Sequence, residues 1–354
     1  MKTGHRGRLL IWPLLLALAS GACRESVVLD QTVVDGGGSG GDAGGGDAVA
    51  PNCTRVVSTP RVSSLIIALD RSSAMASPPL GSGTRLSAAE AAITAIVHSY
   101  NGAVAFGYED FPGPSQFCQS GNSCCAGDVT PPTRTGTQLA IGTAMGICDV
   151  SPDKCSSSSS ERPLQDALGK LSQVYSTPNG NSANRYILVM IAMEPTCGFN
   201  DSNCQQEANA VGSLNTDGVS TIVLGIGDDV STSACLDKIG LAGGAAPRSQ
   251  SPFYYLASTY SDVQDLAGNI AEGIAQDACT VDVQSLGDPS KAVVILNGKP
   301  LTFGAANGWD AFTNNGPGQS RTIRLHGNSC MALGTSPSID LQVYNCSSQS
   351  APAL

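Results

Sequence analysis

Two apolar runs constrain this chain more than any other feature: residues 64–69 (SLIIAL) and 186–193 (YILVMIAM). A strand that is apolar on both faces must be covered on both faces, a condition met in parallel sheets flanked by helices. From Arg61 to Cys279 such runs alternate with segments of helical spacing. Strands are predicted over 62–70, 103–108, 186–193, 219–226 and 253–257. Helices are predicted over 85–100, 138–147, 163–175, 204–214, 233–241 and 262–277. In 85–100, Leu86, Ala89, Ile93, Ile96 and Val97 recur on one helical face. The expected class is α/β: a doubly wound, mostly parallel sheet with helices on both faces, binding ligands at the carboxyl ends of its strands.

The amino-terminal segment reads as a targeting signal. Lys2, Arg6 and Arg8 precede an apolar stretch over 9–19 that is too short to span a bilayer. It closes on Ala19-Ser20-Gly21-Ala22-Cys23, which resembles the lipobox of bacterial lipoproteins, with Ser20 where Leu is commonest. Residues 1–22 are therefore expected to be a leader and Cys23 the lipidated first residue; an ordinary signal peptide cut near Ala22 is the alternative. Residues 23–52 include a Gly-rich run (DGGGSGGDAGGGDA), expected to be a flexible spacer holding the folded part off a membrane surface. Arg24 beside that cysteine points to the outer membrane. Losing the leader makes the formal charge of −10 more negative by three. An exported chain of that charge is a poor partner for nucleic acid or anionic lipid head groups.

Thirteen cysteines fit an oxidising compartment, and setting Cys23 aside leaves an even number. No recurrent CxxC spacing suggests zinc. The pairings expected from position are Cys53–Cys279, Cys197–Cys204 and Cys330–Cys346. Cys118, Cys124, Cys125, Cys148, Cys155 and Cys235 stay unassigned. The folded part is divided at 53–279, with a Cys-rich insertion at about 112–160, and at 280–354. The second piece has β-branched runs at 293–296, 322–325 and 339–343 and an Asn297-Gly298 turn, and reads as a small disulfide-stapled β-rich unit.

Asp70 ends the first apolar run, with Ser72 two residues on, and a turn there aims both oxygens at one point. Together with VAFGYEDFPG, RPLQDALGKL, YILVMIAMEPTCG and TIVLGIGDD followed by LDKIGLAGGAA, the string LIIALDRSSAM makes 61–279 resemble a von Willebrand factor A-type (vWA) domain. It looks like the cysteine-rich versions in bacterial surface lipoproteins. The resemblance implies a metal-ion-dependent adhesion site drawn from three loops. The first supplies Asp-x-Ser-x-Ser, matched by Asp70 and Ser72 but broken by Ala74. The second supplies a Thr before a Pro, where this chain has Arg162. The third supplies an Asp where this chain has Ala192. The implied site is degenerate: Mg²⁺ demands near-ideal octahedral oxygen coordination, and two ligands beside a guanidinium are a poor match. The alignment also suggests a charge-assisted pair between Asp70 and Arg162 in the ion's place; Arg162 pointing into solvent is the alternative.

No catalytic constellation is evident. A serine nucleophile needs an oriented base, and no Gly-x-Ser-x-Gly elbow occurs. His98 reads as a structural residue on the first helix, and His326 follows a strand in the carboxyl-terminal unit. Gly225-Ile226-Gly227 lacks the third glycine of a dinucleotide loop. Glu109-Asp110 and Asp228-Asp229 read as solvated loop tips, and Trp309 as the core of the small β unit. The expected function is that of a non-enzymatic, lipid-anchored envelope protein whose vWA-like domain binds a protein or cell-surface ligand, with no cofactor and no bound metal. Two alternatives are a metal-dependent adhesin that supplements Asp70 and Ser72 with Glu109, Asp110 or Glu194, and an accessory subunit of an envelope enzyme.

Overall fold

The computed structural model describes residues 53–346 except 57, 61–62, 77, 114–123, 134–135, 151–159, 177–183, 198–203, 284–285, 287, 313–320 and 336–339. The expected leader, Cys23, the spacer, Cys118, Cys155 and the side chain of Cys148 lie outside the described residues.

Numbered along the chain, two short strands come first, β1 (Cys53–Val56) and β2 (Ser58–Pro60). The central strand β3 (Ser63–Asp70) follows, buried at every position. After it come a one-turn helix α1 (Ser73–Ala76), a two-residue hairpin of β4 (Pro79–Leu80) and β5 (Gly83–Thr84), and helix α2 (Arg85–Ser99). Thr84 starts α2 with a reciprocal capping box to Ser87, which satisfies two orphan N–H donors and fixes the entry of Arg85.

β3 pairs in parallel with β6 (Val104–Phe111) on one side and β8 (Asn184–Ile191) on the other. β9 (Val219–Ile226) and β10 (Tyr255–Ala257) continue the parallel array, and β7 (Thr130–Thr133) closes the far edge antiparallel to β6. The order is β10-β9-β8-β3-β6-β7. The sequence TPPT belongs at an edge, because proline has no N–H for a second ladder.

Side chains alternate across this sheet with period two. Leu65, Ile67 and Leu69 face one layer and Ile66 and Ala68 the other. The first layer is α2, α3 (Thr137–Val150) and α7 (Tyr260–Ala278). The second is α4 (Leu164–Ser176), α5 (Gln205–Thr216) and α6 (Ala234–Ala242). With each buried Leu or Ile contributing roughly 2 kcal/mol, β3 is the segment least prone to local opening. The sheet also reverses its winding at β3, which puts Asp70 at the crevice such sheets offer to ligands.

The carboxyl-terminal strands are β11 (Thr280–Val283), β12 (Ala292–Leu296), β13 (Lys299–Leu301), β14 (Trp309–Phe312), β15 (Arg321–Leu325) and β16 (Leu341–Cys346), with α8 (Gly327–Thr335) between the last two. They form two four-stranded sheets, ordered β1-β16-β12-β13 and β14-β15-β11-β2. Val281 and Ile323 from one sheet meet Val294 and Val343 from the other around the buried Trp309. The unit is a two-sheet β-sandwich, and the expected boundary at residue 53 is corrected. Residues 53–60 pair with β16 and β11, so the α/β domain is inserted into the sandwich, entering after β2 and leaving into its neighbour β11.

The disulfides also correct the expected pairings. Cys53 bonds Cys346, not Cys279, because β1 and β16 put the two directly opposite each other. Cys279, at the end of α7, bonds Cys330 of α8, which is therefore not paired with Cys346. Cys197 bonds Cys124, and Cys204 bonds Cys235, so the expected Cys197–Cys204 bridge does not form. Cys125 is also disulfide-bonded. A chain carrying these bridges is extracellular or otherwise exported. Among the described residues no helix is long and apolar enough to cross a membrane.

Candidate functional site

Asp70 sits at the carboxyl end of β3 with no solvent exposure. Its Oδ1 accepts the Ser72 N–H at 2.8 Å and its Oδ2 the Ala192 N–H at 3.4 Å. Burial pushes its carboxyl up to about 6, against the opposing pull of Ser72, of the Ala192 backbone and of the Arg162 charge. Ser72 is also fully buried. Ala74 offers a methyl where a third oxygen is expected, and its carbonyl accepts from Arg85 Nη1 at 3.3 Å. Arg85 Nη2 in turn pairs with Asp229 Oδ2 at 2.5 Å. Gly227 makes room for that arginine: its φ is +98°, and a Cβ there would stand 2.5 Å from the guanidinium carbon.

Arg162 points inward. It is 7% exposed; its Nε donates to the Glu194 carbonyl at 2.6 Å, its Nη1 to the Ser160 carbonyl at 2.5 Å, and its backbone N–H to Thr196 Oγ1 at 2.8 Å. The expected direct pair with Asp70 is not seen among the described residues; Arg162 acts on that carboxyl through space. A Mg²⁺ ion does not fit this donor set. Asp70 and Ser72 are the two side-chain oxygen ligands left, the side chains of Ala74 and Ala192 supply none, and a buried cation stands where a neutral oxygen is needed.

Among the described residues the alternative ligands form no group of three Cys, His, Asp or Glu ligand atoms with Asp70. Among the described residues, the single group with three Cys, His, Asp or Glu ligand atoms close together is Cys124, Glu161 and Cys197, whose sulfurs are bonded to each other. Glu109 and Asp110 are not loop tips: both lie in β6, 0% and 5% exposed. Asp110 is pushed up to about 6 by burial, against the charge of Arg71. Arg71, 2% exposed, pairs with Glu90 at 3.1 Å. Neither Glu109 oxygen has a hydrogen-bond partner among the described residues, and burial holds its carboxyl well above the ordinary 4.5, opposed by the Lys170 charge. The Asp228-Asp229 pair is exposed as expected, and His98 is exposed on α2 rather than structural.

Glu109 has a pH consequence. Its folded state keeps a proton that the unfolded chain releases near pH 4.5, so stability is full below that value and falls as pH rises, by about 1.4 kcal/mol per pH unit. Asp70 and Asp110 add the same slope only up to about 6. Glu109→Gln is expected to flatten the fall that begins above pH 4.5. Urea denaturation from pH 4.5 upward checks this; parallel slopes for the two proteins would contradict it.

A pocket of about 400 Å³ opens beside Arg162 at the carboxyl ends of β8 and β9. Met193, Glu194, Thr196, Asp229, Thr232 and Ser233 are among its walls. Ser233 caps α6 by accepting the Leu236 N–H at 3.1 Å and donates to Glu194 Oε1 at 2.7 Å. The Cys124–Cys197 and Cys204–Cys235 bridges anchor the adjoining segments. Sequence reasoning found Arg162 here but missed Thr196 and Ser233 on the walls, and Arg85, which holds Asp229 and for which Gly227 leaves room.

The six-stranded order with one antiparallel edge, helices on both faces and Asp70 ending the central strand matches the expected architecture. This strand order is the one that the resemblance to a von Willebrand factor A-type domain implies. No family model and no curated protein matches the sequence. Among solved structures, the vWA-like chain is similar to the pilus adhesin SpaC from Lactobacillus rhamnosus GG, at 14% identity over 80% of this chain and 39% of that one, with a TM-score of 0.47. It therefore spans well under half of that adhesin. It is similar also to the conserved hypothetical protein BatB from Bacteroides thetaiotaomicron (17% identity, 60% and 98% covered, TM-score 0.42). A third similar structure is the SpRpn10 VWA domain (14% identity, 58% and 93% covered, TM-score 0.38).

Proposed function

We propose that this is a lipid-anchored envelope protein whose vWA-like domain binds a protein or cell-surface component without a metal ion and without catalysing a reaction. The observation that carries the reading is Arg162, a buried guanidinium held by two carbonyls where the metal-dependent arrangement needs a neutral oxygen. Contact with a partner then rests on the loops at the carboxyl ends of β3, β8 and β9 rather than on a bridging ion. Against catalysis, the His326–Asp310 pair, 2.8 Å apart, lies in the sandwich and not at the pocket. The basic residues, apolar stretch and Cys23 support a lipid anchor in the outer membrane. Cys23→Ala is expected to move the protein from the membrane to the soluble fraction; unchanged membrane association would refute the anchor.

Thermal unfolding of the oxidised protein in EDTA and then in millimolar Mg²⁺, Mn²⁺ or Ca²⁺ tests the metal-free reading. An ion at 100 times its dissociation constant adds about 2.7 kcal/mol, roughly 5–10 °C for a domain of this size. The midpoint is expected to stay unchanged with each ion. A rise of that size would instead restore a metal-dependent adhesin, with Asp70 and Ser72 among its ligands.

A further inference from the structure

We propose that the pocket beside Arg162 binds a ligand carboxylate, taken by the free part of the Arg162 guanidinium. The proposal rests on the domain being a metal-free binding module and names what it binds. A guanidinium offers five N–H donors in a planar fork that matches the two oxygens of a carboxylate. Two of those donors, on Nε and Nη1, go to the carbonyls of Glu194 and Ser160, and Nη2 has no partner among the described residues. The side chain is therefore fixed in position at 7% exposure and, among the described residues, has no carboxylate within ion-pair distance. A guanidinium fixed by two carbonyls, with one nitrogen unbonded among the described residues, offers a ligand of opposite charge a charge-assisted contact.

The surroundings leave that place open. Asp70 accepts the Ser72 and Ala192 N–H groups and forms no ion pair with Arg162 among the described residues. On the pocket wall, Asp229 is held by Arg85 and Glu194 by Ser233. The amino-terminal end of α6, nine residues long and capped by Ser233, adds a favourable field for an anion. At about 400 Å³ the pocket admits one side chain with its adjoining peptide groups. The chain's charge of −10 gives no long-range pull on an acidic ligand, so this contact discriminates among partners rather than speeding encounter.

The ligand carboxylate has two sources, an Asp or Glu side chain or a chain terminus, and three short peptides separate them. Acetyl-Gly-Asp-Gly-amide carries only the side-chain group and acetyl-Gly-Ala-Gly only the terminal one. Acetyl-Gly-Asn-Gly-amide carries neither. The reporter is the ¹³C-methyl resonance of Met193, which lines the pocket and is 42% exposed, assigned through Met193→Leu. In the oxidised protein, at least one carboxylate peptide is expected to shift that resonance saturably in the millimolar range, and the Asn peptide to leave it in place. Arg162→Met and Arg162→Lys should each weaken binding about tenfold or more, since neither keeps the fork. If a variant does not fold, the contrast between peptides on the unaltered protein still decides. No shift with either carboxylate peptide, or equal shifts with the Asn peptide, overturns the proposal. Carboxylate binding that appears only with added Mg²⁺ or Mn²⁺ overturns it together with the metal-free reading. Ion-independent stability without carboxylate binding overturns the pocket assignment alone.

Discussion

Replacing Cys53 and Cys346 together by alanine is expected to destabilise the protein by about 2–5 kcal/mol. The bridge joins residues 293 apart in sequence, the largest separation of the described disulfides, and closing long loops restricts the unfolded chain most in the chain-entropy account. Its native-state role points the same way. β1 has four residues, lies at a sheet edge and pairs only with β16, so little besides the bridge holds it. Urea denaturation of the oxidised double variant against the parent measures the loss. A change under 1 kcal/mol would show that β1 adds nothing to the sandwich.

Trp309→Ala is expected to cost about 3–5 kcal/mol, the range for deleting a large buried aromatic. Trp309 is 1% exposed between the two sheets of the sandwich, and Phe303 packs edge-on against it with ring centroids 4.9 Å apart. Neighbours drawn from strands of both sheets cannot close over a void of that size without giving up their own pairing. Trp309 is the only tryptophan besides Trp12, so in protein lacking residues 1–22 its fluorescence reports the sandwich. For the variant, far-ultraviolet circular dichroism gives the midpoint. A loss within 1 kcal/mol would mean that the sandwich core is organised around other residues.

What could be read from the sequence followed from how local each signal is. The runs that became β3, β8 and β9 state their own burial, and the long helices announce themselves by spacing and, at Thr84 and Thr259, by caps. β1 and β2 have no such voice: CTRVVSTP is short, polar and proline-ended, and its partners lie more than 200 residues away. The disulfides failed for the same reason, since Cys53 meets Cys346 only because the sandwich is closed by both ends of the chain. Glu109 and Asp110 read as a loop because two adjacent acids in a strand are costly; the strand runs on to Phe111 and buries both. At the site, Asp70, Ser72, Ala74, Arg162 and Ala192 were visible as positions. The direction Arg162 takes was not, because it depends on carbonyls of Ser160 and Glu194 that only the folded loops bring within reach.

The insertion of the α/β domain between β2 and β11 also decides how the molecule carries mechanical load. Tension pulling apart the segments before Cys53 and after Cys346 meets a covalent bridge whose Cα atoms are 4.0 Å apart. The force passes through that bond and leaves, so the β3 sheet and the Arg162 pocket stay slack. Their geometry is then unaffected by stretching of the chain on either side of that bridge.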